Sequence, residues 1–225
     1  MIPLSRRAVA EAVGTFGLVF IGCGVVLAST FPGANYGVLG IAIAHAIVLS
    51  VMISATMAIS GGHLNPAVTI GLLSVGRIDA VTAAAYVVAQ LIGGIFGAFL
   101  VKILFPVGVV AVSTLGTPAL AANLTIGPAI AIEAVLTFFL VSAVFGTAVN
   151  PDAPKIGGFG IGLVLLFDIL VGGPLTGAAM NPARAFGPAI VSGDLVAQPV
   201  WWIGPILGGI VAALLWDKVL LPKRT

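Results

Sequence analysis

Two stretches decide the fold: SGGHLNPAVT at residues 60–69 and LTGAAMNPAR at residues 175–184. Each contains Asn-Pro-Ala, at 65–67 and 181–183, so the two copies lie 116 residues apart, and each opens about ten mostly apolar residues. Asn is a favoured helix N-cap and Pro suits the first helical position. At about 1.5 Å per residue, such a helix reaches about halfway across a hydrocarbon core of about 30 Å. A single Asn-Pro would fit an ordinary turn, but the matched pair predicts two half-spanning helices, near 66–75 and 182–191.

Composition places these half-helices in a membrane. The chain is 60% hydrophobic and only 7% charged, which leaves too little charge to solvate the surface of a soluble domain. Its apolar runs are long and rich in glycine, which favours a helical bundle over a barrel. Six full-length apolar segments lie near 8–30, 37–59, 80–104, 126–149, 156–173 and 199–220. We therefore predict an all-α membrane protein with six transmembrane helices and two re-entrant half-helices.

The two halves of the chain resemble one another. EAVGTF at 11–16 recurs as EAVLTF at 133–138, an offset of 122 that is close to the 116 of the Asn-Pro-Ala pair. Three spans per copy is an odd number, so the second copy must insert upside down, which predicts an inverted 3+3 repeat with its site near the membrane midplane. We interpret residues 1–225 as one domain, with repeats at 1–110 and 126–225.

The distribution of basic residues predicts the orientation. Lys102 is the only basic residue near one side, and Arg184 lies within the second half-helix. The other side collects Arg6, Arg7, Arg77, Lys155, Lys218, Lys223 and Arg224. Basic residues favour the cytoplasmic side, so both termini are predicted to be cytoplasmic. We expect a multi-pass protein of the cell (inner) membrane, with the vacuolar membrane as the alternative.

The motif residues suggest how a pore would work. A helix N-terminus carries about half a positive charge and unbonded N–H groups, so two facing N-termini would repel protons and cations. The amides of Asn65 and Asn181 would donate hydrogen bonds to a passing water and interrupt a proton wire. Non-helical backbone at membrane depth must line a cavity. We therefore expect pore-lining carbonyls before each motif, at Gly61, Gly62, His63, Leu64, Gly177 and Ala179.

These motifs, together with the repeated Glu-x-x-x-Thr-Phe, resemble the aquaporins, also called major intrinsic proteins, over essentially the whole chain. The resemblance implies a homotetrameric channel with one pore per subunit, which passes water and small neutral solutes across the lipid bilayer. It implies no cofactor, no metal and no nucleic-acid partner. An enzyme is disfavoured because two histidines and one cysteine, far apart in the sequence, form no nucleophile–base set and no metal cluster.

Arg184 follows the second motif, and an intramembrane Arg is usually functional. In aquaporins this Arg joins three other residues at a selectivity constriction, and spacing from the motifs assigns them to His45, Ile169 and Ala178. A histidine in an apolar span is also compatible with simple packing. The set of four resembles that of plant tonoplast-type aquaporins, some of which pass ammonia. A glycerol-type facilitator is the alternative, although Ala185 stands where that branch usually has Asp.

Three intramembrane carboxylates allow a competing hypothesis. Glu11, Glu133 and Asp168 could relay protons in a proton-coupled transporter. For Glu11 and Glu133 the repeat symmetry favours a structural role, in which they accept hydrogen bonds from the irregular backbone before each half-helix. Asp168 has no partner that the sequence identifies. Cys23 is interpreted as a packing residue. The resemblance places Ala178 where aquaporins often have a mercury-sensitive Cys, which implies insensitivity to mercurials.

Overall fold

The computed structural model describes residues 2–222, so Lys223 and Arg224, which entered the charge bias, lie outside the described residues. Within the described range, six helices are long and apolar enough to cross a bilayer. The predicted all-α fold is therefore confirmed. The helices are α1 (Leu4–Ala28), α2 (Gly37–Ser60), α3 (Pro66–Ser74), α4 (Ala80–Leu104), α5 (Val107–Ser113), α6 (Ile126–Val144), α7 (Phe159–Thr176), α8 (Pro182–Ser192) and α9 (Gln198–Leu215). A π-helical turn extends α6 through Phe145–Val149 and another extends α9 through Trp216–Leu220.

The half-helices α3 and α8 begin where the Asn-Pro pairs predict. The side-chain oxygen of Asn65 accepts a hydrogen bond from Ala67 N at 2.8 Å, and that of Asn181 accepts from Ala183 N at 3.0 Å. Each following Pro occupies the first helical position, where its missing N–H costs nothing. Both helices end within one residue of the predicted bounds, and α8 ends at Gly193 in the left-handed conformation, with φ 86°.

Two glycines on long helices let the half-helices approach the centre of the bundle. A Cβ on Gly94 of α4 would lie 2.7 Å from Ala183 O, and a Cβ on Gly209 of α9 would lie 2.8 Å from Ala67 O. Those separations are too short for any side chain, so glycine is required at both positions. The first turns of α8 and α3 thus pack directly on α4 and α9, as expected in lipid, where close packing rather than hydrophobicity drives helix association.

The six long helices surround the half-helices and turn large apolar side chains outward. The most extensive helix pairs are α1 with α4, α6 with α9, and α2 with α7. On α4, for example, Val88, Ile92 and Phe96 are exposed, as a lipid-facing surface requires. The elements therefore leave their polar groups for the middle of the bundle, where Glu11 and Glu133 are fully buried.

Two helices differ from their predicted bounds by more than two residues. The helix α1 begins four residues before and ends two residues before the predicted 8–30. The helix α7 begins and ends three residues later than the predicted 156–173. It starts later because Gly158 N donates to Ser54 Oγ at 2.9 Å, and it continues past Pro174 because Thr176 anchors the last turn on Glu133. The segment after α4, for which the sequence predicts no element, forms α5 and then a 3-10 turn at Thr114–Gly116.

Candidate functional site

The backbone just before α3 is held by Glu11 of α1. Its carboxylate accepts hydrogen bonds from His63 N at 3.0 Å and Leu64 N at 2.6 Å. The side chains of Ser60 and Gln90 also donate to it, at 2.6 and 2.8 Å. Four donors around one buried carboxylate fully occupy its acceptor positions. This contact ties α1 and α4 to a stretch that has no regular secondary structure of its own.

Glu133 of α6 holds the backbone before α8 in the same way. It accepts hydrogen bonds from Ala179 N at 3.0 Å, Met180 N at 2.7 Å and Thr176 Oγ at 2.6 Å. The N–H of Met180 corresponds to that of Leu64 in the first half, and both residues have a left-handed φ of 50°. Such a conformation is strained for a non-glycine residue and persists only where its surroundings enforce it. Each buried carboxylate supplies that constraint.

The two motifs are joined to each other at the centre of the bundle. The side-chain amide of Asn65 donates to Met180 O at 2.8 Å, and that of Asn181 donates to Leu64 O at 2.9 Å. Each Asn therefore caps its own half-helix with its oxygen and binds the opposite half with its nitrogen. Since an amide nitrogen has two hydrogens, each keeps a second donor beyond this cross-link.

Three neighbouring cavities share lining residues at these positions. The space open to the centre of a water molecule is about 20 Å³ in the central segment, whose walls include Asn65 and Asn181. Since one water needs about 10–15 Å³ by this measure, the central segment holds about one. It adjoins, at Gly62 and His63, a vestibule of about 510 Å³, the His63-side vestibule, which Gly61 also lines. On the other side, His45 and Arg184 separate it from a vestibule of about 300 Å³, the Arg184-side vestibule.

The four residues assigned to the constriction lie around the junction between the central segment and the Arg184-side vestibule. His45 and Arg184 line both spaces, Ala178 lines the central segment, and Ile169 lines the vestibule together with Gly177. All four are buried, with 2–6% of their surface exposed. Ala179 also lines the central segment, whereas the Leu64 carbonyl is engaged by Asn181.

The hydrogen bonds at the junction define the chemistry that His45 presents. Its Nδ1 lies 2.9 Å from Ile41 O, and since a carbonyl only accepts, Nδ1 carries the proton. The Nε2 lone pair then faces Arg184 Nη2 at 3.5 Å. Arg184 is held on a second side, because its Nη1 donates to Gly116 O at 3.1 Å. The junction thus combines a fixed cation, an imidazole acceptor and two apolar walls.

Sequence reasoning missed several residues that hold this site. Gly116 lies between the predicted spans, in a segment for which the sequence predicts no element, and is brought to Arg184 only by tertiary packing. Gln90 bridges Glu11 and Thr69, at 2.8 and 3.0 Å. Trp201 of α9 donates from its indole nitrogen to Thr176 O at 3.0 Å. Of these residues, Gln90 alone gave a signal in the sequence, because it is a polar residue within a long apolar span.

The surroundings of Asp168 differ from those of the other two intramembrane carboxylates. It is 1% exposed, and its Oδ2 has no hydrogen-bond partner within residues 2–222. It precedes Ile169 on α7 but is absent from the residues that line the central segment and its two vestibules. The geometry thus separates Asp168 from the path that the cavities mark.

Comparison with known proteins accounts for this arrangement. The family model described as Major intrinsic protein matches residues 1–216. The chain belongs to the major intrinsic protein family. It is 41% identical to Aquaporin TIP4-4 of Zea mays, over 97% of this chain and 88% of that protein, and 40% identical to Probable aquaporin TIP3-2 of Arabidopsis thaliana, over 97% and 85%. These relatives confirm the predicted likeness to tonoplast-type aquaporins.

The fold of this major intrinsic protein also matches a solved structure. The X-ray structure of the aquaglyceroporin from Plasmodium falciparum superposes with a TM-score of 0.85 at 25% identity and covers 97% of each chain. Members of the family are channels, so this chain is a membrane channel and not an enzyme.

Proposed function

We propose that this channel conducts water passively and excludes protons and ions. The observation that carries the proposal is the central segment, which has space for about one water and lies between the N-termini of α3 and α8. A water there meets the second amide hydrogens of Asn65 and Asn181. Water held by two donors turns its own hydrogens away from the centre, which interrupts a proton wire.

Ion exclusion rests on charge at the same place. Each half-helix N-terminus carries about half a positive charge, and the low dielectric of the bundle increases its effect on a passing cation. Arg184 adds a full positive charge at the junction, where Gly116 holds its guanidinium. A neutral solute crosses this barrier without the Coulomb cost that a proton or sodium ion would meet.

The junction residues suggest which neutral solutes pass besides water. Ile169 and Ala178 provide apolar walls, and the His45 Nε2 provides a hydrogen-bond acceptor beside Arg184. The contact between Nε2 and Arg184 Nη2 is long, at 3.5 Å, so ammonia, which donates hydrogen bonds, could replace the guanidinium as its partner, and we include ammonia and other small neutral solutes in the proposed range. The names of the similar plant proteins support water conduction. That of the Plasmodium protein makes glycerol the solute to test as the alternative.

We assign the site residues accordingly. Asn65 and Asn181 form the central filter, His45, Ile169, Ala178 and Arg184 form the selectivity constriction, and Glu11 and Glu133 are structural carboxylates. The matched contacts of those carboxylates support two inverted repeats within one channel domain. We further propose a homotetramer with cytoplasmic termini, in the vacuolar membrane or the cell membrane.

Stopped-flow light scattering on proteoliposomes tests the proposal. Vesicles containing the channel should shrink faster in hyperosmotic buffer than empty vesicles, with a rate that a transmembrane pH gradient does not change. An enclosed pH-sensitive dye should report no added proton leak. Water flux equal to that of empty vesicles would refute the proposal, and flux that follows the proton gradient would favour the transporter. Separate gradients of glycerol, ammonia and urea would define the solute range.

A further inference from the structure

Helix α1 presents one stripe of residues to the channel, at positions four apart. Leu18 lines the central segment and Val26 lines the Arg184-side vestibule. Gly22 lies between them on the same face and is also buried. Residues four apart on a helix share a face, so a side chain at 22 would point where Leu18 and Val26 point. The stripe therefore has a gap at the level of the constriction.

The imidazole of His45 occupies that gap. A Cβ built on Gly22 would lie 2.6 Å from His45 Nε2, 3.1 Å from Cδ2 and 3.3 Å from Cε1. All three of its nearest neighbours belong to one ring, so the His45 imidazole occupies the space that a side chain at position 22 would take. The absence of a side chain at Gly22 is thus what allows the ring to pack against α1.

The ring is also restrained on its other sides. Its Nδ1 is bound to Ile41 O, and its Nε2, the atom nearest to the added Cβ, is the atom that faces Arg184 Nη2. A methyl group at position 22 would therefore act on the same nitrogen as the guanidinium. To restore an ordinary contact of 3.4 Å from 2.6 Å, the ring would have to move by 0.8 Å, away from α1.

We propose that Gly22 is a positioning residue for the selectivity constriction, because it determines how far the His45 ring withdraws from the path and how it meets Arg184. This inference rests on the proposed function and extends it to a residue that lines neither the central segment nor its vestibules. The central segment exceeds the size of one water by only a few Å³. A shift of the ring toward the path therefore changes what can pass.

Helix α1 supplies a matched control. Gly24 lies two residues further along, and a Cβ there would meet only the Phe105 ring, at 3.7 Å. That is an ordinary van der Waals contact. Gly22→Ala and Gly24→Ala make the same chemical change in the same helix, but only the methyl group at position 22 would contact His45.

The test is a double-mutant cycle on the full chain in proteoliposomes, with wild type, G22A, H45A, G22A/H45A and G24A. A ring displaced into a segment with room for about one water raises the barrier to permeation, and a barrier increase of about 1.4 kcal/mol is one decade in rate, so G22A should lower water permeability about tenfold per folded channel. It should also change the ratio of ammonia to water permeability. G24A should match wild type, and G22A/H45A should match H45A, because the conflict disappears with the ring.

Wild-type permeability in G22A would overturn the proposal. So would a fall in water permeability on adding G22A to H45A that equals the fall on adding it to wild type. Melting temperatures of the same five proteins give a second readout that does not require transport. G22A should lower the melting temperature of wild type but not that of H45A. If G22A fails to fold while G22A/H45A folds, the coupling is supported. If H45A folds and G22A/H45A does not, it is refuted. Wild-type vesicles without water flux would refute the proposed function, and the melting cycle would still decide the role of Gly22.

Discussion

Replacing Glu133 by Gln should destabilise the channel because the backbone before α8 would lose an acceptor. The carboxylate receives two backbone N–H groups on different oxygens, Ala179 N at 3.0 Å on Oε1 and Met180 N at 2.7 Å on Oε2. A Gln amide has one oxygen and one NH2 group. In either orientation its NH2 therefore faces one of these N–H groups, whereas the hydroxyl of Thr176 can rotate to become an acceptor.

The magnitude follows from these contacts. A buried donor left without a partner costs about 1–3 kcal/mol, and the remaining bond weakens by about 1 kcal/mol when its acceptor loses its charge. We expect a loss of about 3 kcal/mol in unfolding free energy, which for a chain of this length lowers the melting temperature by about 6–12 °C. Water flux per folded channel should also fall, because Met180 O is the acceptor of Asn65.

The assay is thermal unfolding in detergent, followed by tryptophan fluorescence, with stopped-flow measurement on the same samples. Thr137→Val is the matched control, since Thr137 lies one turn away and its hydroxyl donates to Glu133 O within the same helix. The unfolding free energy of that control should stay within about 1 kcal/mol of the wild-type value. A Glu133→Gln channel as stable as wild type would refute the structural role. Loss of a proton-driven flux in that stable variant would support the proton relay instead.

Two further outcomes are expected. Asp168→Leu should raise the unfolding free energy by about 1–3 kcal/mol, because it removes a buried carboxyl oxygen that has no partner within residues 2–222. A lower melting temperature would contradict this. Mercuric chloride should leave water flux unchanged, because Cys23 is 0% exposed and the constriction has Ala178. Strong block that persists in Cys23→Ser would contradict the assigned pore.

The long helices and the half-helices were predictable because single residues and local pattern determine them. A span follows from the length of an apolar run, and the start of α3 or α8 follows from an Asn cap followed by Pro. Where a helix boundary depends on a contact distant in the sequence, the observed boundary differs from the predicted one. The end of α7 is an example, since Thr176 is held there by Glu133, 43 residues earlier.

The site was predictable in part, for a similar reason. Counting from the motifs identified His45 and Arg184, which the structure brings to 3.5 Å from each other. The sequence could not identify Gly116 as the acceptor for Arg184, because that contact uses a backbone carbonyl that any residue type carries. It also could not identify Gly22, whose importance depends on an absent side chain and on which ring fills the space.

The paired bonds between the two Asn amides and the opposite carbonyls have a consequence for biogenesis. Asn65 needs Met180, 115 residues later in the chain, and Asn181 needs Leu64, 117 residues earlier. A ribosome delivers the first half-helix well before its counterpart exists. The Asn65 amide therefore lacks its Met180 acceptor until the second half has been inserted, and only then can the two central hydrogen bonds form. Substitutions at Asn65 or Asn181, whose side-chain amides make these bonds, should accordingly impair maturation during synthesis more than they impair channels that have already assembled.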